Sequence, residues 1–511
     1  MNIYSFFEKS FEQYPQNNAL FVKDRHYTYQ ELQVLSSHIS GKLTCGTPGF
    51  TGLLAHRSIW AFAGVLGILR TGCAYVPLNP KLPAKRLAAI INKSNMDTLI
   101  VEAEYLPVFH ETDKFLDKAI NIFIPDEPDK SYIINKRHNI IAHRSIMNPE
   151  GQLKRKCKYA YMLFTSGSTG MPKGVPISHE NVGCYINNIN KMNNFLPTDR
   201  FSNTFDLTFD LSVHDMFICW SNGAELFCIP ENALMAPAKY MKKHQLTCWF
   251  SVPTLANTMD RFRMLKPNSF SHLRYSFFCG EPMPELLAEN WQKAAPESVI
   301  KNIYGPTEAT IGITSYTYNS EKCKSLNGIL SIGKVFPGNE MKLSDKNEDG
   351  QEELMLSGCQ VTTQYWKEPE KTAQAFVQYE GKIWYKTGDR IKADQEGYLY
   401  FLGRTDYQIK VQGYRVEPGE IDFVISSFRK NINVFTFARQ KNNTITLISC
   451  INDQPDNKEV EMREIIYHCK KLLPTYMIPS KILFFPNFPM NTNGKINYSQ
   501  LIDMALKKIE Q

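Results

Sequence analysis

The sequence has no apolar run of about 18 residues, the length a membrane-spanning helix needs, so membrane insertion is not expected. Its start, Met1-Asn-Ile-Tyr-Ser-Phe-Phe-Glu-Lys-Ser10, has an acidic residue early and no sustained apolar core, and does not read as a signal peptide. It has no Cys-x-x-Cys pair. Its 12 cysteines are irregularly spaced, several in apolar runs such as Leu226-Phe-Cys228-Ile229. That spacing argues against a disulfide framework and for reduced, buried thiols in a cytoplasmic protein. No stripe of lysines interleaved with aromatics is present, so nucleic acid is not an expected partner. A formal charge of +7 is small for 511 residues and needs no more than a favourable field for an anionic ligand or an acidic protein partner.

What is present is an ordinary globular composition, 43% hydrophobic and 21% charged, in a chain too long for one compact core. Two or more domains are expected. Tyr161-Met-Leu-Phe164 reads as a buried strand, and Thr165, Ser166, Gly167, Ser168, Thr169 and Gly170 follow, then Pro172, Lys173 and Gly174. Glycines let a backbone approach a polyphosphate, hydroxyls and free N–H groups donate to it, and a lysine adds charge. A P-loop requires G-x-x-x-x-G-K-[ST]; with proline before the lysine and glycine after it, this is a phosphate loop of another kind.

Helix and strand alternate before that loop, which argues for an α/β domain. Phe6, Phe7 and Phe11 have helical spacing, Ala19-Leu-Phe-Val22 is strand-like, and helices are expected from Tyr29 to about Leu43 and from Trp60 to Leu69. Gly72 to Pro80 reads as a turn into a short strand, and residues 110–157 as strand edge and surface loop. After the loop a helix is expected from Glu180 to Met192, then Phe209-Asp210-Leu-Ser-Val-His-Asp-Met-Phe217 at a strand-to-helix turn. Asp210 between aromatics is poorly solvated and needs a cation; it could equally be an ordinary helix cap. Trp249 to Pro253 and Tyr275 to Glu281 read as buried strands, the second breaking at Gly280.

In Asn302-Ile-Tyr-Gly-Pro-Thr-Glu308, Gly305-Pro306 forces a turn. Tyr304 offers a ring for stacking, and Thr307 and Glu308 offer oxygens to Mg²⁺. Asp389, past a strand ending near Tyr385, can chelate ribose hydroxyls. The last hundred or so residues alternate strand (432–438, 444–451), helix (460–472) and strand (481–485), a small α+β domain. Lys495, after Asn493-Gly494, sits at an exposed loop tip and by itself would be a solvated turn lysine.

These motifs, in this order and over nearly the whole chain, resemble those of the adenylate-forming superfamily. The resemblance implies a large α/β adenylating domain over 1–405 and a small mobile domain over 406–511, joined at a hinge, Asp406. It implies that Thr165 to Gly170 and Lys173 cover the ATP phosphates, and that Asn302, Tyr304, Gly305, Pro306, Thr307, Asp389 and Arg404 hold the nucleotide. Glu308 would hold Mg²⁺, with Lys495 entering during adenylation. In amino-acid-activating members an Asp in Phe-Asp-x-Ser binds the α-ammonium, which gives Asp210 that role. Pocket walls would be His214, Phe250, Phe277, Cys279, Gly280, Ile303, Ile311 and Gly312, with room for about a methyl group. Phe-Asp-Leu-Ser with Phe-Cys-Gly-Glu resembles members acting on D-alanine, so alanine, D form favoured, is the expected substrate. Nothing after Lys495 resembles a carrier domain, so a stand-alone monomer loading a separate phosphopantetheinylated carrier protein is expected. Two departures from the usual spelling, Glu352-Glu353-Leu354 and Gln364-Tyr365, are expected to bear on stability and not on chemistry.

Three functions follow for comparison. The first is an amino-acid ligase, for a cell-envelope carrier or for nonribosomal peptide synthesis. An acyl- or aryl-CoA synthetase is opposed by Asp210. A nucleotide-binding protein without catalysis is opposed by the joint presence of Asp210, Glu308, Asp389 and Lys495.

Overall fold

The structure, a computed structural model, describes residues 2–43, 49–126, 134–141, 157–166, 171–344, 352–405, 408–411, 413–429, 432–441, 444–490 and 496–510. The chain divides into two compact units. The first comprises Met1–Pro80, Leu87–Phe164 and Gly174–Thr405; the second comprises Lys81–Arg86, Thr165–Lys173 and Asp406–Gln511.

The first unit is α/β, with two large sheets. Buried apolar runs flanked by helices form parallel strands, because a strand covered on both faces needs no polar alternation. One sheet runs in the order 334–335, 314–317, 299–304, 275–278, 248–251, 200–203, 225–228, 18–22, 25–28. Its six central strands, from 299–304 to 18–22, are parallel, with antiparallel strands at both edges. The other sheet runs 139–140, 121–123, 98–101, 50–54, 74–78, 159–165, 173–178. Asn139–Ile140 is its edge strand, where the polar stretch suggested one. Helices start where capping side chains supply acceptors: Thr28 with Glu31, Ser58, and Ser178 with Asn181. Trp220 is fully buried on helix Leu211–Ser221, and its indole N–H donates to the Ala19 carbonyl at 3.0 Å. The unit also holds a four-stranded antiparallel sheet (339–343, 354–358, 382–386, 376–379) and the pairs Ser325–Leu326/Ile329–Leu330 and Asp389–Ala393/Leu399–Arg404.

The second unit holds the strands Val434–Lys441, Thr444–Asn452 and Lys481–Phe485, the hairpin Ile409–Val411/Tyr414–Val416, and the helix Lys458–Leu472. Two further helices, Pro418–Phe428 and Tyr498–Glu510, are additional to the sequence reading. Proline opens the first, as its missing N–H and fixed φ favour at a helix start. Its Glu420 is fully buried and paired with Arg86 of the same unit.

The expectation that all cysteines are reduced is corrected: Cys184 and Cys359, 175 residues apart, form a disulfide. Both ends lie where the helix His179–Met192 meets the segment after strand Leu354–Gly358. Buried free thiols do occur, at Cys219, Cys228, Cys248, Cys279, Cys450 and Cys469. Among the described residues no helix is long and apolar enough to cross a membrane.

Candidate active site

The candidate side chains of the first unit come from strand ends and the turns that follow them. In a parallel sheet these ends open onto a crevice outside the strands. Asp210 follows the strand Arg200–Asn203 and occupies the capping position of helix Leu211–Ser221. It is buried, with helical backbone angles (φ −64°, ψ −23°), and its carboxylate makes no capping bond to its own helix. The helix-cap account of this residue therefore lacks the bond that defines a cap.

Around Asp210 lie three buried tyrosines. Tyr75 and Tyr161 are paired across neighbouring parallel strands, and Tyr185 comes from helix His179–Met192. Burial first, and the Asp210 carboxylate among the charges, push all three phenols up, so they are protonated at any working pH. The Tyr75 and Tyr161 hydroxyls are buried with no hydrogen-bond partner among the described residues.

His214 sits one helical turn after Asp210, and its Nδ1 is 2.6 Å from the Tyr185 hydroxyl. Burial pushes its pKa down to about 3, so the imidazole is neutral. Tyr185 donates to Nδ1, because the reverse assignment would strand both the tyrosine proton and the second ring nitrogen. The Nε2 proton then has no acceptor among the described residues. The ring packs 4.4 Å from Phe250 and 5.1 Å from Phe277. Cys279 directs its thiol at the Ile311 carbonyl at 4.0 Å. Gly280 has φ +94°, and a Cβ there would meet Val252 at 3.3 Å. A Cβ at Gly312 would lie 2.2 Å from the Ile303 side chain, so only glycine fits. The expected wall residues therefore adjoin one another.

The turn after strand Val299–Tyr304 carries Gly305, Pro306, Thr307 and Glu308, the last two in a short 3-10 helix. Asn302 donates to the Ser331 carbonyl at 2.9 Å, which ties it to the strand frame. Tyr304 uses its hydroxyl, donating to Asp389 Oδ2 at 2.5 Å, while Arg404 holds Oδ1 at 2.5 Å. Asp389 opens the strand Asp389–Ala393, where the sequence suggested the end of the preceding one. Glu308 is fully buried and accepts from the Tyr365 hydroxyl at 2.7 Å. Two residues next to the spelling departures, Tyr365 and Glu353, reach this group. Tyr365 binds Glu308, and Glu353 accepts from Gly388 N at 2.8 Å, next to Asp389. These partners escaped sequence reading because no local pattern links residues 57 and 35 positions apart.

In the second unit, Thr165 ends the strand Tyr159–Thr165, and Ser166 donates to the Arg415 carbonyl at 2.8 Å. Lys173, buried, opens the strand Lys173–Ser178. Gly167, Ser168, Thr169, Gly170, Asp406 and Lys495 lie outside the described residues. Among those described, no three His, Cys, Asp or Glu side chains gather as a metal cage.

The chain is similar to known proteins in both sequence and fold. The sequence profile of the AMP-binding enzyme family matches residues 7–366. A relative named D-alanine–D-alanyl carrier protein ligase, from Staphylococcus aureus (strain MRSA252), is 30% identical over 499 residues, covering 96% of each chain. The Vibrio cholerae adenylation domain AlmE, solved in complex with glycyl-adenosine-5'-phosphate, superposes with a TM-score of 0.85 at 28% identity, over 98% of each chain. IdnL7 superposes with a TM-score of 0.73 at 27% identity, over 99% of each.

Proposed function

Because the chain belongs to the AMP-binding enzyme family and is an adenylate-forming, AMP-forming ligase, we propose that it activates a small amino acid, best matched by D-alanine, and passes it to the phosphopantetheine thiol of a separate carrier protein. The observation that carries the amino-acid reading is Asp210, buried beside neutral His214 and three protonated tyrosines and making no capping bond. A buried carboxylate in such surroundings suits an ammonium ion, whereas a fatty or aryl acid offers it nothing. The alanine reading is supported by the Phe250 and Phe277 rings packed against His214 and by the name of the Staphylococcus relative.

The chemistry runs in two steps. The substrate carboxylate attacks the α-phosphorus of ATP, forming the acyl–phosphate bond as the bond to pyrophosphate breaks. The carrier thiolate then attacks the acyl carbonyl and AMP leaves. Positioning and charge stabilisation supply most of the acceleration in such transfers. In this reading Asp389, steadied by Tyr304 and Arg404, takes the ribose hydroxyls. Residues 165–170 and Lys173 hold the phosphates, Thr307 assists at the turn, and Lys495 bridges carboxylate and α-phosphate. Glu308 would hold Mg²⁺. One protein carboxylate suits that ion, which keeps waters and phosphate oxygens as its other ligands and would neutralise pyrophosphate. The proposal includes a domain boundary at 405/406 with Asp406 as hinge, a monomer, and a cytoplasmic setting.

ATP–pyrophosphate exchange across both enantiomers of the amino acids tests the reading. D-Alanine is expected fastest. Glycine is the second reading, on the strength of the glycyl-adenylate held by AlmE. Fastest exchange with tryptophan or arginine, or with no amino acid at all, overturns it.

A further inference from the structure

We propose that Gln360 is a positioning residue for the acid pocket, acting through the Thr310–Gly312 turn. Its side chain is fully buried and every hydrogen-bonding direction of its amide is used. Oε1 accepts from Asn188 Nδ2 at 3.1 Å and from Asn339 Nδ2 at 3.0 Å. Nε2 donates to the Gly312 carbonyl at 2.7 Å and faces the Thr310 carbonyl at 3.5 Å. Turning the amide over would set its oxygen against two carbonyls and its NH₂ against two donors, so the network fixes its orientation. The backbone joins in: Thr310 Oγ1 donates to the Gln360 carbonyl at 2.5 Å, and Gln360 N donates to Asn339 Oδ1 at 3.0 Å.

The clamped turn does not hold its shape by itself. Thr310 and Ile311 are consecutive non-glycine residues with φ of +57° and +72°, and β-branched side chains rarely adopt such angles. A conformation of this kind persists only where its surroundings over-determine it. Gln360 grips the carbonyls on both sides of Ile311, and that residue's own carbonyl faces the Cys279 thiol. The grip is anchored on one face of helix His179–Met192. There Asn181 donates to the Cys359 carbonyl at 2.8 Å, Cys184 bonds Cys359, and Asn188 holds Gln360. Two residues further on, Thr362 N donates to the Glu308 carbonyl at 2.8 Å. Gln360 thus sets where Ile311 and Gly312 stand relative to the bound acid, while the Tyr304–Asp389–Arg404 group is held by other contacts.

This inference rests on the proposed pocket assignment, so the test uses whichever acid supports exchange in the native enzyme. If that acid is not an amino acid, the amino-acid reading fails while Gln360 is still tested. Gln360→Glu keeps the shape but faces the Gly312 carbonyl with a carboxylate oxygen. It is expected to raise the KM for the acid about ten-fold or more, with the KM for ATP changed less than about two-fold. Asn188→Ala, which loosens one anchor, should move the same constant in the same direction by less, and it keeps the test open if Gln360→Glu does not fold. Ser357→Ala is the stability control: it removes a partly buried bond to the Ile383 carbonyl (2.8 Å) in the adjoining strand without touching the turn. It should lower the melting temperature and leave both KM values alone. An unchanged acid KM in both test variants, an equal rise in both KM values, or the same split in Ser357→Ala overturns the proposal.

Discussion

Replacing Asp210 with Asn separates two accounts of one buried carboxylate. The change keeps the side chain's shape and removes its charge. If Asp210 is the counter-ion of a substrate ammonium, the bound ammonium is left unpaired among rings and protonated tyrosines. Truncating one partner of a desolvated charged pair costs about 2–5 kcal/mol. At about 1.4 kcal/mol per tenfold, this raises the amino-acid KM by about 30-fold to several thousand-fold. The KM for ATP should stay within about two-fold, because Asp389 and Arg404 hang on separate strands. If Asp210 were a helix cap, the loss would fall on stability instead, by about 0.5–2 kcal/mol. The helix Leu211–Ser221 takes no capping bond from it, so the melting temperature should barely move. ATP–pyrophosphate exchange over a range of amino-acid concentrations, beside thermal unfolding without ligands, reads both quantities. A normal amino-acid KM with lowered melting would refute the counter-ion assignment.

Tyr304→Phe keeps the ring and removes the hydroxyl that donates to Asp389 at 2.5 Å. A bond to a charged group contributes about 1.5–3 kcal/mol, so a higher KM for ATP with an unchanged amino-acid KM is expected, and a silent variant would restore the stacking-only role. Glu102, which accepts from Ser58, is pushed up by burial from 4.5 to about 7, so between those values the folded state holds a proton the unfolded chain has released. Stability contributed by this group therefore falls as pH rises through that window, by at most about 3 kcal/mol, and Glu102→Gln should flatten the melting-temperature profile there; an identical slope in the variant would refute the assignment. Lys495→Ala should abolish exchange yet spare carrier loading from pre-made aminoacyl-adenylate, whereas Asp406→Pro, which fixes φ at the proposed hinge, should do the reverse. Equal loss of both half-reactions in both variants excludes a rotating small domain.

How far the sequence could be read follows from the range of the forces involved. Strands such as Tyr275–Phe278 and helices such as Ile59–Arg70 were legible because burial on both faces writes continuous apolar runs into neighbouring positions. Asp210, Glu308 and Asp389 were legible because each stands at a turn whose glycine, proline or aromatic neighbours are adjacent in sequence. What supports them was not. His214 takes its tautomer from Tyr185, 29 residues earlier, and Glu308 takes a hydrogen bond from Tyr365, 57 residues later. Neither partner has a periodicity that distinguishes it from an ordinary core aromatic. The same holds for Gln360, which reads as a surface residue until the Asn188 and Asn339 amides are seen to close on it. A buried amide is tolerated only when all its hydrogen bonds are made, and that condition links four segments of chain at once. Local patterns therefore expose the groups proposed to meet the substrate, which sit on special turns. The groups that hold those turns in place are exposed only by three-dimensional proximity. The Ile311 backbone, strained and gripped on both sides, is where the second kind of information decides the behaviour of the first.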